Sequence, residues 1–290
     1  MSYKVVVAGA GGQLGQELVR SVPEQLNCLA LTRAQLDIGD QNQVTALLQR
    51  EQPDVVINAA AYTAVDRAES EPELAARINA QGPGNLARAC AHGGARLIHV
   101  STDFVFDGSS SRPYRPLDPT APLGEYGRSK LAGEQQVQAA LPDALVVRTG
   151  WVYSAFGSNF VKTMLRLMAE RDELAVVADQ VGTPTWASGL ALALWRAVER
   201  PDLAGIYHWS DAGVCSWYDF AVAIAEEGRL FGLLDAEPRL RPIPGSDYPT
   251  PARRPSFSVL DKGDTWRDFE LEGVHWRVQL RAMLQELKEL

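Results

Sequence analysis

The sequence predicts an α/β protein: a doubly wound parallel sheet followed by a smaller lobe of mixed α/β character. Three features carry this reading. Short apolar or β-branched runs alternate with helical stretches through the first half. A glycine-rich turn, Gly9-Ala10-Gly11-Gly12-Gln13-Leu14-Gly15, joins the first run to the first helix. The residues able to do chemistry fall at the carboxyl ends of the runs, where open parallel sheets bind their ligands.

Taken in order, residues 4–8 read as a strand, 15–21 as a helix, 28–31 as a strand and 41–51 as a helix. Residues 54–58 form the next strand, which runs out into Ala59-Ala60-Ala61. A long helix over 72–92, a strand over 96–101, a helix over 126–140 and a strand over 145–148 complete the rhythm. After about Trp151 the pattern is less regular, with six further tryptophans and a proline-rich stretch over 238–255. Helical periodicity persists there over 159–170, 187–199, 217–227 and 274–290. The expected division is a dinucleotide-binding domain over 1–150 and a mainly substrate-binding lobe over 151–290. That lobe is expected to be discontinuous, with some segments returning to the main sheet.

Composition narrows the function. A chain of 290 residues, 46% hydrophobic and 22% charged, can bury a large core. Its net charge of −8 disfavours a nucleic-acid backbone or an anionic membrane as partner. An anionic small molecule remains compatible, held by local arginines and helix N-termini. Cys28, Cys90 and Cys215 are scattered and odd in number, so neither a disulfide framework nor a zinc site is expected. No basic-then-apolar leader and no membrane-length apolar run is present, and a cytoplasmic location is the expectation.

The glycine turn defines a cofactor site. Glycines at 9, 12 and 15 permit a tight turn, close approach to a pyrophosphate, and close helix–strand packing. This is the Rossmann arrangement, and it implicates Gly9, Gly12, Gln13 and Leu14. The second strand ends in Thr32-Arg33 with no acid to accept ribose hydroxyls. An arginine there suits the extra phosphate of NADPH, with NADH use left open. Asp37 and Ile38 lie further along, where the adenine would sit.

The run Tyr126-Gly127-Arg128-Ser129-Lys130 suggests the chemistry. Residues four apart share a helix face, which sets an ammonium beside a phenol. The expectation is that Lys130 lowers the Tyr126 pKa and prepares it for proton transfer. Ser101-Thr102-Asp103 ends the neighbouring strand, where a hydroxyl would polarise a substrate carbonyl. Arg253 and Arg254, in a proline-braced loop, suit a diphosphate, while Asn159 suits a helix cap or a ligand contact.

Together the glycine turn, the Ser/Thr strand end and the Tyr-x3-Lys pair resemble an extended short-chain dehydrogenase/reductase. Within that group the chain is similar to the dTDP-4-dehydrorhamnose reductases. The likeness runs through Asn58 to Glu69, Ser101 to Gly108, Tyr126 to Glu134, Arg148 to Tyr153, Gly157 to Phe160, Asp179 to Thr185 and Tyr248 to Pro255. It implies NADPH-dependent reduction of the C4 ketone of dTDP-6-deoxy-L-lyxo-4-hexulose, the last step to dTDP-L-rhamnose. By position it implies Tyr126 as proton donor, Lys130 on the cofactor ribose and Thr102 on the ketone oxygen. Gly12, Gln13 and Leu14 would touch the pyrophosphate, Thr32, Asp37 and Ile38 the adenosine, and Ala61, Tyr62 and Thr63 the nicotinamide half. Asp103 and Trp151 would contact the deoxysugar nucleotide, and Asn79 would support Lys130.

Some relatives dimerise through magnesium held by glutamates. Glu17 and Glu286 match two such positions, but Ser188 stands where another glutamate would be expected. Losing a carboxylate puts magnesium at Glu17 and Glu286, and the dimer it would hold, in doubt, and a monomer or weak homodimer is the expectation. Two other readings stay open on the sequence. One is a nucleotide-sugar epimerase or dehydratase, which would retain NAD. The other is a non-catalytic regulatory subunit of the methionine adenosyltransferase type.

Overall fold

The computed structural model describes residues 3–236 and 238–290. Its centre is a six-stranded, all-parallel sheet. The strands are β1 (Tyr3–Ala8), β2 (Leu26–Leu31), β3 (Val55–Asn58), β4 (Arg96–Thr102), β5 (Leu145–Thr149) and β6 (Gly205–His208). Their order across the sheet is β6-β5-β4-β3-β1-β2. The chain leaves β1 toward β2 on one side and then builds β3, β4 and β5 on the other. That reversal opens a crevice at the carboxyl end of β1.

Strand periodicity divides the core into two layers. Val5 and Val7 face one side with Leu18, Leu190 and Leu194. Val6 and Ala8 face the other with Leu47, Leu48, Leu86 and Val137. The first layer is covered by α1 (Gln13–Arg20) and the second by α2 (Gln41–Glu51), α3 (Gly82–Gly93) and α4 (Glu125–Ala140). Farther on, α5 (Phe160–Glu170), α6 (Ala187–Glu199), α7 (Trp217–Leu230) and α8 (Trp276–Glu289) follow. Of these, α6 packs on the main sheet, as the burial of Leu190, Leu194 and Trp195 beside Val5 requires. Helices α5, α7 and α8 enclose a separate apolar cluster that includes Tyr153, Val161, Phe220, Ile224 and Leu280.

Three short strand pairs belong to this second region: Val152–Tyr153 with Thr185–Trp186, Glu173–Val177 with Arg239–Ile243, and Val181–Gly182 with Cys215–Ser216. The chain then returns, bridging Leu260 to Tyr114.

The helix predicted over 72–92 is interrupted. It consists of Pro72–Ala76, a π-helical stretch Arg77–Gln81, and α3. Two causes act at one carbonyl. Pro83 has no N–H to donate back to Asn79. Gly133 of α4 also passes so close that a Cβ there would lie 2.0 Å from the Asn79 carbonyl oxygen. Strand β6 and the short helices Val65–Ala68 and Gly263–Phe269 were not anticipated individually. No helix among the described residues is long and apolar enough to cross a membrane.

Candidate active site

A cavity of about 990 Å³ runs along the carboxyl ends of the strands, from the glycine turn to α7. Apart from Arg253, the residues expected to touch cofactor or substrate line it, from Gly9 and Arg33 to Trp151, Asn159 and Arg254.

At one end the backbone is shaped for close approach. Gly9 has φ +91°, and a Cβ there would come within 2.5 Å of the Ala60 backbone nitrogen. Gly15 lets α1 meet β1, since a Cβ there would sit 2.2 Å from the Gly9 carbonyl oxygen. Gly12, by contrast, leaves ordinary clearance at the mouth of α1. It is the N-cap of α1, and no side chain caps that helix. The first N–H groups of α1 thus open onto the cavity beside Gln13 and Leu14, an arrangement that fits a pyrophosphate.

The end of the cavity expected to take an adenosine is set by β2. Thr32 binds Gln35 through its backbone N–H and its hydroxyl, both at 2.9 Å. Arg33 is exposed at the rim, with no ion-pair partner among the described residues. Asp37 accepts from the Gly39 N–H at 2.9 Å and pairs with Arg77, so its carboxylate is already engaged. Ile38 is buried beside Gly82, where a Cβ would meet its side chain at 2.7 Å.

The loop Ala61-Tyr62-Thr63 lines the middle of the cavity and is pinned by Asn79. The Asn79 side chain accepts from the Tyr62 N–H at 2.8 Å and donates to the Tyr62 carbonyl at 3.0 Å. It also donates to the Ser129 hydroxyl at 3.1 Å. Asn79 thus holds the loop against α4 through Ser129, the residue before Lys130, with no direct bond to the Lys130 ammonium. The π-helical stretch is what aims it inward.

Thr102, Tyr126 and Lys130 meet in the same cavity. The Thr102 hydroxyl faces the Tyr126 phenol. It also accepts from the Phe104 N–H at 3.2 Å and donates to Asp103 at 3.1 Å. The Phe104 ring packs edge-on against Tyr126 at 5.5 Å. Lys130 is buried, and its Nζ donates to the Val100 carbonyl at 2.7 Å.

The electrostatics differ from expectation. Burial pushes the Tyr126 phenol up to about 12; the Thr102 hydroxyl opposes this and the Asp103 carboxylate adds to it. Lys130 does not depress it, because its ammonium is turned to the β4 carbonyl and is itself brought down to about 8 by burial. Asp103 is buried as well, and burial raises it to about 6 against the Ser258 and Thr102 hydroxyls.

Beneath this site a buried ion pair ties α4 to β5. Arg148 donates to both Glu134 oxygens, at 2.9 and 2.7 Å, and to the Pro116 carbonyl at 3.0 Å. The Phe106 ring lies 5.1 Å from the guanidinium, and Ser101 donates to Glu134.

The opposite end of the cavity, where substrate contacts are expected, is aromatic. The Trp151 ring stacks on Trp217, and Phe160 leans on Trp217 at 4.6 Å. Asn159 caps α5 by accepting from the Lys162 N–H at 3.1 Å, and its amide nitrogen donates to Gln13 at 2.9 Å and the Ser154 carbonyl at 2.6 Å. Arg254 grips Asp66 through two bonds, 3.0 and 2.8 Å, and that guanidinium holds the Asp66 carboxyl below its usual range. Arg253 is exposed and does not line the cavity. Trp217, Phe160, Tyr153 and Leu190 are lining residues that sequence reasoning missed. Tyr153 and Phe160 close two of the stretches that carry the likeness, but the common position of the four comes from tertiary packing of α5, α6 and α7.

Glu17 and Glu286 come together outside the cavity, but on a guanidinium. Arg20 donates to Glu17 at 2.7 Å and to the two Glu286 oxygens, one of them at 3.0 Å. Ser154 donates to the other Glu17 oxygen at 2.7 Å. The cation between these carboxylates is Arg20, so the residues do not fit a magnesium ion. No cluster of three or more His, Cys, Asp or Glu able to hold a metal occurs among the described residues.

The family model for the RmlD substrate binding domain matches residues 3–289. A dTDP-4-dehydrorhamnose reductase of Mycobacterium tuberculosis is 46% identical, covering 98% of this chain and 93% of its own. One from Escherichia coli is 43% identical, covering 98% and 97%. Among solved structures, the Bacillus anthracis dTDP-4-dehydrorhamnose reductase in complex with NADP superposes with a TM-score of 0.93 at 36% identity, covering 99% of this chain and all of that one.

Proposed function

The chain belongs to the RmlD family of dTDP-4-dehydrorhamnose reductases, and from that membership we propose that it uses NADPH to reduce the C4 ketone of dTDP-6-deoxy-L-lyxo-4-hexulose to dTDP-L-rhamnose. The observation that carries the proposal is the convergence of an uncapped α1 N-terminus, Thr102, Tyr126 and Lys130 on one cavity. When bound, the nicotinamide supplies the hydride.

Each remaining task falls to a residue of the chain. Gly12, Gln13 and Leu14 receive the pyrophosphate at the helix mouth. Arg33 takes the 2′-phosphate at the rim, with Thr32, Asp37 and Ile38 around the adenosine. The Asp37–Arg77 pair leaves that rim with no free carboxylate to repel the phosphate. Ala61, Tyr62 and Thr63, braced by Asn79, wall the nicotinamide half. Lys130 holds the ribose. Thr102 donates to the ketone oxygen, and Tyr126 delivers the proton as the alkoxide forms. The raised phenol pKa suits this direction, because a proton donor must enter the reaction protonated. Asp103, Trp151, Asn159 and Arg254 face the sugar nucleotide.

Residues 1–150 then act as the cofactor domain and 151–290 as the main part of the substrate lobe, in a cytoplasmic monomer or weak homodimer. The test is loss of NADPH absorbance when purified protein meets dTDP-6-deoxy-L-lyxo-4-hexulose, with NADH run in parallel. Turnover to dTDP-L-rhamnose supports the proposal. Binding of both coenzymes without oxidation of either would refute it and favour a non-catalytic role.

A further inference from the structure

Three non-glycine residues among those described have positive φ: Gln52, Trp151 and Glu270. Gln52 and Glu270 end helices, where a left-handed residue is common. Trp151, with φ +51°, instead follows the end of β5 and opens onto the cavity. A bulky residue keeps such a backbone only where its surroundings hold it there.

Those surroundings are specific. The Trp151 indole lies flat on Trp217, with centroids 3.5 Å apart and planes 4° from parallel. Its edge lies against Gly182, where a Cβ would approach Cε2 to 2.6 Å and Nε1 to 2.7 Å. Thr185 pins the loop, its N–H on the Trp151 carbonyl at 3.1 Å and its hydroxyl on the Gly150 carbonyl at 2.7 Å. Trp217 is anchored at a helix start, next to the Cys215–Ser216 strand that pairs with Val181–Gly182. It is the first residue of α7, directly after the N-cap Ser216 and inside the Ser216–Asp219 capping box, whose reciprocal bonds are 3.1 and 2.9 Å. One indole is therefore strained and the other is built on a fixed helix start.

We propose that Trp217 is a positioning residue for the reduction, holding the Trp151 indole in the pose that meets the sugar. This rests on the functional reading above, in which Trp151 contacts the deoxysugar. Trp217 then acts through Trp151. A contact that serves substrate and transition state alike alters KM and leaves kcat in place.

The test uses full-length protein and combines steady-state kinetics with circular dichroism, because two stacked indoles couple as excitons and produce a couplet. The wild-type protein should show that couplet, and Trp151→Phe and Trp217→Phe should each remove it. Trp217→Ala should raise the substrate KM about tenfold, with kcat and NADPH affinity changed less than about threefold. Trp217→Phe, which keeps a flat ring under Trp151, should restore most of the KM. Adding Trp217→Ala to a Trp151→Ala background should cost nothing further. Additive losses would overturn the proposal by giving Trp217 a substrate contact of its own. A fall in kcat and NADPH affinity together would reduce it to a structural role, and absence of the couplet would deny the stack. A wild-type protein that oxidised no NADPH would overturn the functional reading and this role with it, while the couplet would still report the stacked pair.

Discussion

Replacing Glu134 by glutamine would strand a guanidinium in the interior. The Arg148 side chain is 3% exposed and that of Glu134 is 2% exposed, so no solvent stands ready to take over. The pair is bidentate, with bonds of 2.9 and 2.7 Å, and the remaining arginine partners are one carbonyl and one aromatic face. Breaking one side of such a buried pair costs about 3–5 kcal/mol, chiefly through the uncompensated charge left behind. Unfolding entropy of about 2.1 cal/mol/K per residue amounts to about 0.6 kcal/mol/K over 290 residues, so Tm should fall by about 5–8 °C. Urea denaturation of the two proteins, followed by fluorescence and circular dichroism, measures the same loss. The double variant Glu134→Leu/Arg148→Met removes both charges and should recover most of it. A loss under about 1 kcal/mol, or a double variant as unstable as the single one, would refute the argument. Catalysis offers a second readout. Burial lowers the Lys130 pKa and the Glu134 carboxylate raises it, so Glu134→Gln should move the Lys130 titration further down.

Three further predictions concern the site and its surroundings. Tyr126→Phe should keep NADPH affinity within about threefold and lower kcat by about 10²-fold or more; full turnover would remove Tyr126 as the proton donor. Arg33→Ala should weaken NADPH far more than NADH in a binding titration, and equal effects would deny the phosphate contact. Asp211 is buried, accepts from the Trp186 N–H at 3.0 Å, and is raised by that burial to about 8. A carboxyl raised on folding stabilises the fold fully below its unfolded pKa of about 4, and that contribution is lost as pH rises through about 8. Asp211→Asn should therefore gain in Tm on the wild type between about pH 5 and pH 9, whereas a constant difference would refute a protonated Asp211.

Much of the site was legible because its parts are local. A glycine turn, a strand-end hydroxyl and a Tyr-x3-Lys pair each occupy a few consecutive residues, and a parallel sheet delivers strand ends to one edge. The Tyr126 pKa was misjudged because spacing tells which residues share a helix face and nothing of where a flexible ammonium turns. Here it finds the Val100 carbonyl. Asn79 was legible as a support of the active-site lysine by resemblance, but its bonds to the Tyr62 loop were not. Its inward aim comes from the π-helical stretch, which depends on Pro83 and also on Gly133, fifty-four positions away from Asn79 in the chain. Glu17 and Glu286 were read as two positions of a magnesium site, and Arg20, one turn along α1, was not seen as the cation they share. Trp217 carried no signal, and Phe160 only that of the Gly157 to Phe160 stretch, since stacking across α5, α7 and the β5 loop exists only in three dimensions.

Strand β6 pairs with β5 in register from Gly205 on Leu145 to His208 on Arg148. During synthesis that partner arrives late. Fifty-nine residues separate Thr149 from His208, which at about 5–20 residues per second is roughly 3–12 s of translation. Until then β5, whose five residues are all buried in the finished protein, stands as an uncovered apolar edge, the kind that recruits strands from other chains. A fragment ending near residue 150 keeps that edge open permanently. Nascent chains of this protein should therefore depend on holdase chaperones during that interval, and the isolated cofactor-binding half should aggregate where the whole chain stays dispersed.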